Sequence, residues 1–349
     1  MTTIHGGDWA GYRQEYGTDA LDFSANTSPL GLPAGVRQAV IEVLDSADRY
    51  PDSKCRALRD ALAEHHQVPA EWIRCGNGAA DLIDRVIFAL RPKRALILAP
   101  TFGEYADALR RFDCEITEFS LPASEEFRVT ERILDALTPD LDLVILCEPN
   151  NPTGITTDRG LLGRILTVCR QRGIFLMADE CFNAFLDEPE THSLIPELPD
   201  GGLLILRAFT KFYGMAGLRL GYCLCADTEF LRRVDEAGQP WPVSSVAQAA
   251  GIAALQETEY ADALWKLIRE ERPKLMTGLR ELGCEVLPGE ANYLLFQCNT
   301  EDLEEKLKGK GILIRSCWNY TGLDSSWHRV AVRGADDNRR LLAALKEVL

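Results

Sequence analysis

A lysine stands inside an apolar, glycine-punctuated run of the sequence, RAFTKFYGMAGLRLGY, at residues 207–222. Two chemical interpretations of this residue, Lys211, are open. Its methylene stem can pack on apolar surface while the ammonium group reaches water. Alternatively, burial lowers the pKa of the amine and suits it to form a Schiff base with a carbonyl cofactor. A lone lysine favours the first interpretation, so the choice depends on which other residues the fold brings near Lys211.

A glycine turn and an asparagine turn follow two other apolar runs. In CGNGAADLI the glycine turn leads into a helix whose first free amides are expected at Ala79 and Ala80. Such a helix start can bind a phosphate through backbone N–H groups and the helix dipole. In CEPNNPTG, Asn151 precedes a proline in a rigid turn and can present its amide to a ligand oxygen. Taken singly, both stretches are explained as well by ordinary turn chemistry.

An aspartate at the end of a further apolar run completes the set of polar groups. Asp179 ends the run IFLMAD, and a carboxylate at the end of a buried strand needs a partner. A protonated ring nitrogen could be that partner, but a helix cap or a salt bridge would serve equally well. Together the glycine turn, Asn151, Asp179, Lys211 and Arg219 offer a partner to each functional group of pyridoxal phosphate: its phosphate, phenolic oxygen, ring nitrogen and aldehyde. The combination favours the Schiff-base interpretation of Lys211.

The elements that must position these residues form an alternating pattern from about residue 75 to 225. Short runs that are apolar throughout, such as RALILAP and LDLVILCEP, alternate with amphipathic helical patterns such as EYADALRRF. This pattern predicts an α/β fold with a mostly parallel sheet covered by helices on both faces. Ligands of such sheets lie beyond the carboxyl ends of the strands, where the candidate residues fall.

A glycine- and proline-rich stretch, EAGQPWPVSS, predicts a domain boundary near residue 236. We expect a large cofactor-binding domain over residues 45–236. Long helical patterns and short strand-like runs follow, which indicate a small α+β domain over residues 237–349. The N-terminal arm, residues 1–44, is expected to join that small domain.

Composition excludes several classes of function. A net charge of −15 on 349 residues disfavours nucleic-acid partners. The longest apolar runs fall far short of the ~18 residues of a membrane span, and the first residues lack the features of a secretion signal, so we expect a cytoplasmic protein without membrane contact. The eleven cysteines are scattered and odd in number, so we expect reduced core thiols and no metal site.

The order G-N-G, N-P-T-G, D-E and T-K with a distal arginine resembles fold type I pyridoxal-phosphate enzymes, the class I and II aminotransferase superfamily, over essentially the whole chain. The resemblance implies that Lys211 is the catalytic Schiff-base lysine. It implies that Asp179 pairs with the pyridine nitrogen and that Asn151 reaches the phenolic oxygen. The small molecule that such an enzyme binds beside its cofactor, pyridoxal 5′-phosphate, is an amino acid.

The same resemblance assigns the remaining cofactor contacts. The residues that it implies hold the phosphate are Arg219, Thr210 and the amides of Ala79 and Ala80. It implies that Phe102 of PTFGEY stacks on the cofactor ring. Tyr50 of RYPD matches a tyrosine that such enzymes lend to the neighbouring subunit, which implies a homodimer.

Several stretches are most similar to the branch of the family that contains threonine-phosphate decarboxylase and histidinol-phosphate aminotransferase. They are HGG at 5–7, LDFSANTSPLG at 21–31, TKFY at 210–213 and ILIRSCWNYTGLDSSWHRVAVR at 312–333. The resemblance implies that Arg315 and Arg329 bind substrate anions and that His5 and Asn26 line the same pocket. The alternative for Arg315 is a solvated strand arginine, and the same interpretation is open for Arg333.

Four positions depart from the aminotransferase pattern, and one of them is Ala80, a small replacement. Phe182 stands where aminotransferases usually have tyrosine, and phenylalanine there is familiar in the decarboxylase branch. Ala208 stands where a serine or threonine commonly assists the phosphate, and Ser28 replaces a common asparagine. These departures bear on the substrate and leave the cofactor site intact.

The resemblance implies a lyase that decarboxylates an O-phosphorylated amino acid. The substrate expected is L-threonine O-3-phosphate and the product aminopropanol phosphate, for the side chain of cobalamin. The alternative is an aminotransferase, such as one that acts on histidinol phosphate. A third hypothesis, a non-catalytic module like the aminotransferase-like part of a transcription regulator, lacks support because Lys211 is intact.

Overall fold

The computed structural model describes residues 5–349. Residues 1–4 of the predicted N-terminal arm lie outside them. The helices are α1 (Trp9–Tyr16), α2 (Ala34–Val43), α3 (Arg56–His66), α4 (Ala79–Leu90), α5 (Glu104–Arg111), α6 (Ile133–Ala136), α7 (Arg159–Arg172), α8 (Pro189–His192), α9 (Thr228–Glu236), α10 (Ser245–Ala254), α11 (Thr258–Glu281), α12 (Leu303–Lys308) and α13 (Ala335–Val348). The strands are β1 (Leu21–Asp22), β2 (Ile73–Gly76), β3 (Arg94–Ala99), β4 (Glu115–Ser120), β5 (Leu143–Cys147), β6 (Phe175–Asp179), β7 (Leu203–Ala208), β8 (Gly221–Leu224), β9 (Glu285–Val286), β10 (Tyr293–Gln297), β11 (Ile312–Leu313), β12 (Arg315–Ser316) and β13 (Trp327–Ala331).

The largest sheet has seven strands in the order β2-β8-β7-β6-β5-β3-β4. Strands β7, β6, β5, β3 and β4 pair in parallel, whereas β8 runs antiparallel to both of its neighbours, β2 and β7. Strand β2 therefore points the same way as the parallel strands, and its carboxyl end lies at the same edge of the sheet. The predicted α/β fold with a mostly parallel central sheet is confirmed.

The strand sequences explain why both faces of this sheet are covered. In β3, Leu96 and Leu98 belong to one apolar core, and Ala95 and Ile97 belong to a second core on the other face. Successive side chains of a strand point to opposite faces, so a strand that is apolar at every position needs helices on both sides. Each fully buried leucine or isoleucine stabilises this arrangement by about 1.5–3 kcal/mol.

Two smaller sheets lie beside the large one. A four-stranded antiparallel sheet has the order β12-β13-β10-β9, and β1 pairs in parallel with β11. The N-terminal segment thus shares a sheet with a strand from the last 40 residues. The strands of the seven-stranded sheet lie within residues 73–224, but the proposed boundaries near 44 and 236 remain a prediction. The helical pattern of residues 246–271 is divided between α10 and α11.

Across residues 5–349, every helix is too short or too polar to cross a bilayer.

Ten of the eleven cysteines are buried free thiols, and Cys181 is half-buried. This agrees with the interpretation of Cys147, Cys223 and Cys225 as core residues.

Candidate active site

The carboxyl ends of β2, β3, β5, β6 and β7 border a cavity of about 390 Å³. The small antiparallel sheet and the N-terminal segment close its other side. The sequence-predicted residues that line this cavity are His5, Asn26, Ala79, Ala80, Phe102, Asn151, Asp179, Thr210, Lys211, Arg219, Arg315 and Arg329. The structure therefore brings together residues that are more than 300 positions apart in the sequence.

Lys211 lies three residues beyond the end of β7 and faces the cavity. Burial lowers the pKa of its amine to about 8, and the positive charge of Arg329 acts in the same direction. The backbone N–H of Ser28 donates a hydrogen bond of 2.8 Å to the Lys211 carbonyl, which ties this turn to the N-terminal segment. A half-buried amine with a lowered pKa is a nucleophile near neutral pH, as the Schiff-base interpretation requires.

Asp179 is the last residue of β6, and 4% of its surface is exposed. Its Oδ1 accepts a hydrogen bond from the Cys181 backbone N–H at 2.9 Å, and its Oδ2 accepts one from the Tyr105 hydroxyl at 2.6 Å. Burial raises the pKa of this carboxyl, and the two hydrogen bonds oppose the increase. A buried carboxylate whose donors are neutral can still bind a cationic ring nitrogen.

The start of α4 forms a cradle for an anion. Helix α4 begins at Ala79, and the N-cap residue, Gly78, has φ +81° and offers no side-chain cap to the first amides. A Cβ on Gly78 would lie 2.7 Å from Nη2 of Arg219 and would displace this guanidinium group, and the positive φ itself favours glycine. Free helix-start amides beside a guanidinium group fit the phosphate of the cofactor.

Asn151 and Arg329 connect the two sides of the cavity. Nη1 of Arg329 donates a hydrogen bond to Oδ1 of Asn151, and Nη2 donates one to the Ser24 carbonyl at 2.9 Å. In the part of the chain that the structure describes, Nδ2 of Asn151 makes no hydrogen bond, so it is available as a donor toward the cavity. This matches the predicted contact of Asn151 with a phenolic oxygen.

Arg315 and Arg329 lie directly opposite each other on the antiparallel strands β12 and β13. Their exposed fractions are 3% and 6%, so the interpretation of Arg315 as a solvated strand arginine is wrong. Arg315 donates to the Ser316 carbonyl and to Oδ1 of Asn319, each at 2.8 Å. Opposed like charges on one face of a sheet repel, and an anion between them relieves the repulsion.

His5 and Asn26 line the cavity but differ in exposure, and Arg333 lies outside it. His5 is exposed, and its Nε2 lies 2.9 Å from Oε1 of Glu104. Asn26 is buried, and its Oδ1 has no hydrogen-bond partner among residues 5–349. Arg333 pairs with Asp337 at 2.9 Å, so it is neither fully solvated nor part of this site.

Tyr50 lies on the surface of the molecule and is 80% exposed. Its ring stacks on that of Trp241, which is also exposed, with 4.4 Å between the ring centroids. Its predicted contribution to the site of a neighbouring subunit stays a prediction.

Sequence reasoning missed several residues that contact the predicted site, and two of them lie on one helix. Tyr105 binds Asp179, and Glu104 faces His5. Both lie in the first turn of α5, directly after Phe102. The stretch PTFGEY, which contains Phe102, also contains both residues, so their nearness to the predicted site could have been noted. The pairing with Asp179 depends on the neighbouring strands and could not be predicted from spacing.

Comparison with known proteins gives the family. A model of the family described as aminotransferase class I and II matches residues 18–345. The chain belongs to this family. The threonine-phosphate decarboxylase of Salmonella typhimurium strain LT2 is 46% identical over 333 residues, which cover 94% of this chain and 91% of that protein.

Solved structures show the same relationship. The histidinol-phosphate aminotransferase from Clostridium acetobutylicum is 29% identical with a TM-score of 0.88, over 94% of this chain and 98% of that one. The L-threonine-O-3-phosphate decarboxylase from Porphyromonas gingivalis is 26% identical with a TM-score of 0.84, over 93% and 98%. The chain is thus an enzyme of the aminotransferase family, and its cofactor is pyridoxal 5′-phosphate.

The departures from the aminotransferase pattern lie at or beside the cavity. Phe182 and Ala208 line the cavity. Ser28 instead receives a hydrogen bond from the Tyr260 hydroxyl, at 2.6 Å. The free amides of α4, Arg219, Asp179 and Lys211 fit the phosphate, ring nitrogen and aldehyde of the cofactor, so the departures leave its main contacts in place.

Proposed function

We propose that this enzyme decarboxylates an O-phosphorylated α-amino acid, with L-threonine O-3-phosphate as the substrate and aminopropanol phosphate as the product. The observation that carries the proposal is the buried pair Arg315 and Arg329, which face each other across two strands beside Lys211. A substrate with a carboxylate and a phosphate supplies two anionic groups for such a pair. The decarboxylase relative at 46% identity supports the same choice. The product would serve the synthesis of the cobalamin side chain.

The cofactor, when bound, supplies an electron sink that stabilises negative charge left on the α-carbon of an amino acid. The residues of this chain would place and polarise it. Asp179 would keep a proton on the ring nitrogen by its charge, Asn151 would donate to the phenolic oxygen, and Lys211 presents an amine whose pKa of about 8 lets it exchange a proton near neutral pH. The amides of α4 and Arg219 would hold the phosphate.

The arginine pair would decide which bond to the α-carbon breaks. The bond that stands perpendicular to the cofactor ring loses its electrons most readily. Arg329 is also held by Asn151 and Ser24, so a substrate carboxylate bound to it would have a restricted orientation. An orientation that turns this carboxylate out of the ring plane favours release of carbon dioxide over removal of the α-proton.

The test is to supply the holoenzyme with threonine phosphate in the absence of any keto acid and to measure carbon dioxide. Serine phosphate serves as the second substrate. In parallel, histidinol phosphate with 2-oxoglutarate is assayed for glutamate. Release of carbon dioxide that outpaces formation of glutamate supports the proposal, and the reverse order assigns the enzyme to the aminotransferases.

Transamination is the second candidate function. It is favoured by the family description and by the TM-score of 0.88 to a histidinol-phosphate aminotransferase. Histidinol phosphate carries a phosphate but no carboxylate, so it would engage the two arginines unequally. Replacement of Arg329 should therefore impair threonine phosphate more than histidinol phosphate.

We also propose a homodimer in which Tyr50 completes the cofactor site of the partner. Its support is the exposure of Tyr50 and Trp241, two large aromatic side chains stacked on the surface. Mixing inactive Lys211→Ala and Tyr50→Ala proteins under conditions of subunit exchange tests this. If Tyr50 acts across the interface, hybrid dimers contain one intact site and activity returns. If Tyr50 acts within its own chain, both sites of a hybrid stay defective and activity does not return.

A further inference from the structure

Tyr105 forms a buried hydrogen bond with the carboxylate assigned to the cofactor ring. Its side chain is fully buried, and its hydroxyl donates to Oδ2 of Asp179 at 2.6 Å. This distance is typical of a hydrogen bond between a hydroxyl and an ionised oxygen. The opposite oxygen, Oδ1, accepts from the Cys181 backbone at 2.9 Å. Two donors from different elements, α5 and the turn after β6, therefore hold the carboxylate on both sides.

The two donors restrict how the carboxylate can rotate about its terminal torsion, which is otherwise soft. Each oxygen keeps a lone pair that is not used by Tyr105 or Cys181. Because Asp179 lines the cavity, the remaining acceptor capacity lies next to the space that the cofactor ring would occupy. The hydroxyl of Tyr105 thus helps to fix the direction in which Asp179 accepts.

The same hydroxyl also affects the charge of Asp179. Burial raises the pKa of this carboxyl, and the hydrogen bonds from Cys181 and Tyr105 counteract that increase. The titratable groups that act on Asp179 or are acted on by it are Tyr105, Cys147, Glu180, Cys181 and Tyr293. Glu180 is itself paired with Arg207, at 2.6 Å. The Tyr105 hydroxyl is a neutral donor, so it favours the ionised carboxylate without introducing a competing charge.

Tyr105 also supports the residue expected to stack on the ring. The rings of Phe102 and Tyr105 meet edge to face, with 5.5 Å between centroids and 83° between planes. An aromatic pair of this geometry limits the positions that each ring can adopt. One side chain of α5 thus contacts both the acceptor for the ring nitrogen and the stacking residue.

We propose that Tyr105 is a positioning residue for the cofactor, which orients Asp179 and keeps it ionised toward the ring nitrogen. The proposal rests on the proposed role of Asp179. It predicts that the hydroxyl contributes to cofactor affinity and to the lower pH limit of binding, although it does not touch the cofactor nitrogen itself.

The test compares three variants stripped of cofactor and titrated with pyridoxal phosphate by fluorescence quenching from pH 5 to 9. Tyr105→Phe keeps the ring and removes the hydroxyl, and Asp179→Asn removes the charge. Tyr222→Phe is the matched control, because its buried hydroxyl bonds to Nε2 of His66 at 2.8 Å, away from the cavity. Thermal unfolding of each variant verifies that it is folded.

Tyr105→Phe should weaken cofactor binding about tenfold, the effect of losing one hydrogen bond to a charged group. The pH below which binding is lost should also move upward, because the pKa of Asp179 rises without this donor. Titration of the cofactor's own phosphate is common to all variants and cancels in the comparison. Tyr222→Phe should leave both quantities at the wild-type value.

The outcomes separate this inference from the proposal on which it rests. If Asp179→Asn weakens binding but Tyr105→Phe changes neither the affinity nor the pH limit, Tyr105 has a packing role alone and the inference is wrong. If Asp179→Asn leaves the affinity unchanged, the assigned role of Asp179 is wrong and the inference is lost with it. An equal loss in Tyr222→Phe, whose hydroxyl lies away from the cavity, would show that the effect does not depend on the contact with Asp179, and the inference would be wrong.

Discussion

The two sides of the cavity are built in different ways. On one side, Asp179 and Lys211 follow parallel strands of the seven-stranded sheet, and the free amides follow β2. On the other side, Arg315 and Arg329 lie within short antiparallel strands, and His5 lies at the start of the described chain. The first side offers a fixed edge where strand ends must meet, whereas the second side is assembled from segments that are distant in sequence.

Functional residues that follow parallel strands can be located from a single sequence. The carboxyl ends of parallel strands converge at one edge, so the side chains after them can be placed together from the alternating pattern alone. No such rule joins Ser24 to Arg329 or His5 to Glu104. The hydrogen bond between Arg329 and Asn151 joins the two sides of the cavity. Substitutions of residues near this bond should show whether the function of one side depends on the other.

The largest expected effect is on the side of the seven-stranded sheet. Lys211→Ala should reduce turnover by about 10²- to 10⁴-fold, the range for a side chain that transfers a proton. The phosphate contacts lie elsewhere, so the variant should still bind pyridoxal phosphate in an equilibrium titration. Borohydride should attach the cofactor covalently to the peptide that contains Lys211 in the wild type.

The control for this change is Lys274→Ala, because Lys274 lies on α11 and pairs with Glu271. It should keep both turnover and borohydride labelling of Lys211. A wild-type protein in which borohydride labels a different lysine would contradict the assignment of Lys211.

The next largest effect is expected on the side of the cavity that the four-stranded antiparallel sheet forms. Arg329→Gln should raise the KM for threonine phosphate by about 10- to 100-fold, because each charge-assisted contact contributes roughly 1.5–3 kcal/mol. It should also raise the pKa of Lys211 above about 8, since the Arg329 charge helps to lower it. The pKa can be followed in the cofactor-free protein from the pH dependence of amine labelling at Lys211, which increases as the amine loses its proton.

Arg329→Lys is the second variant of this series. It keeps a positive charge but loses the planar fork, so the pKa of Lys211 should change less than the KM. Arg333→Gln is the control, because Arg333 pairs with Asp337 outside the cavity. An unchanged KM in Arg329→Gln would remove this arginine from the substrate site.

Most functional residues on the side of the seven-stranded sheet could be predicted from the sequence, whereas many on the opposite side of the cavity could not. The buried runs before Asn151, Asp179 and Lys211 identify strand ends by composition, and the glycine turn before Ala79 identifies a helix start. Arg315 and Arg329 were found through resemblance, because the register that places them opposite each other is a property of the paired strands. Tyr105 was missed because its partner is 74 residues away.

A smaller effect is expected at the anion cradle. Gly78→Ala places a Cβ 2.7 Å from Nη2 of Arg219 and forces a side chain onto a backbone with φ +81°. We expect a loss of cofactor affinity of about tenfold, in line with a strain of roughly 1–3 kcal/mol at such a position. Gly173→Ala has a similar φ of +71° with open space around the new Cβ, so it controls for backbone strain alone. Equal cofactor affinity in both variants would argue against the cradle.

The smallest effect concerns Phe182, which lies between the two sides. Its ring lines the cavity and meets Tyr293 edge to face, with 5.0 Å between centroids. In Phe182→Tyr, a hydroxyl that faces the phenolic oxygen of the cofactor would donate to it and stabilise its ionised form. The pH at which the bound cofactor changes its absorption should then fall by roughly one unit or less, the equivalent of about 1 kcal/mol for one hydrogen bond.

Phe185→Tyr, at a neighbouring buried phenylalanine outside the cavity lining, controls for the cost of burying an extra hydroxyl. An unchanged absorption midpoint in Phe182→Tyr would mean that the new hydroxyl faces Tyr293 rather than the cofactor. The absence of a tyrosine at this position would then say nothing about the choice between decarboxylation and transamination, and that choice would depend on the arginine side of the cavity.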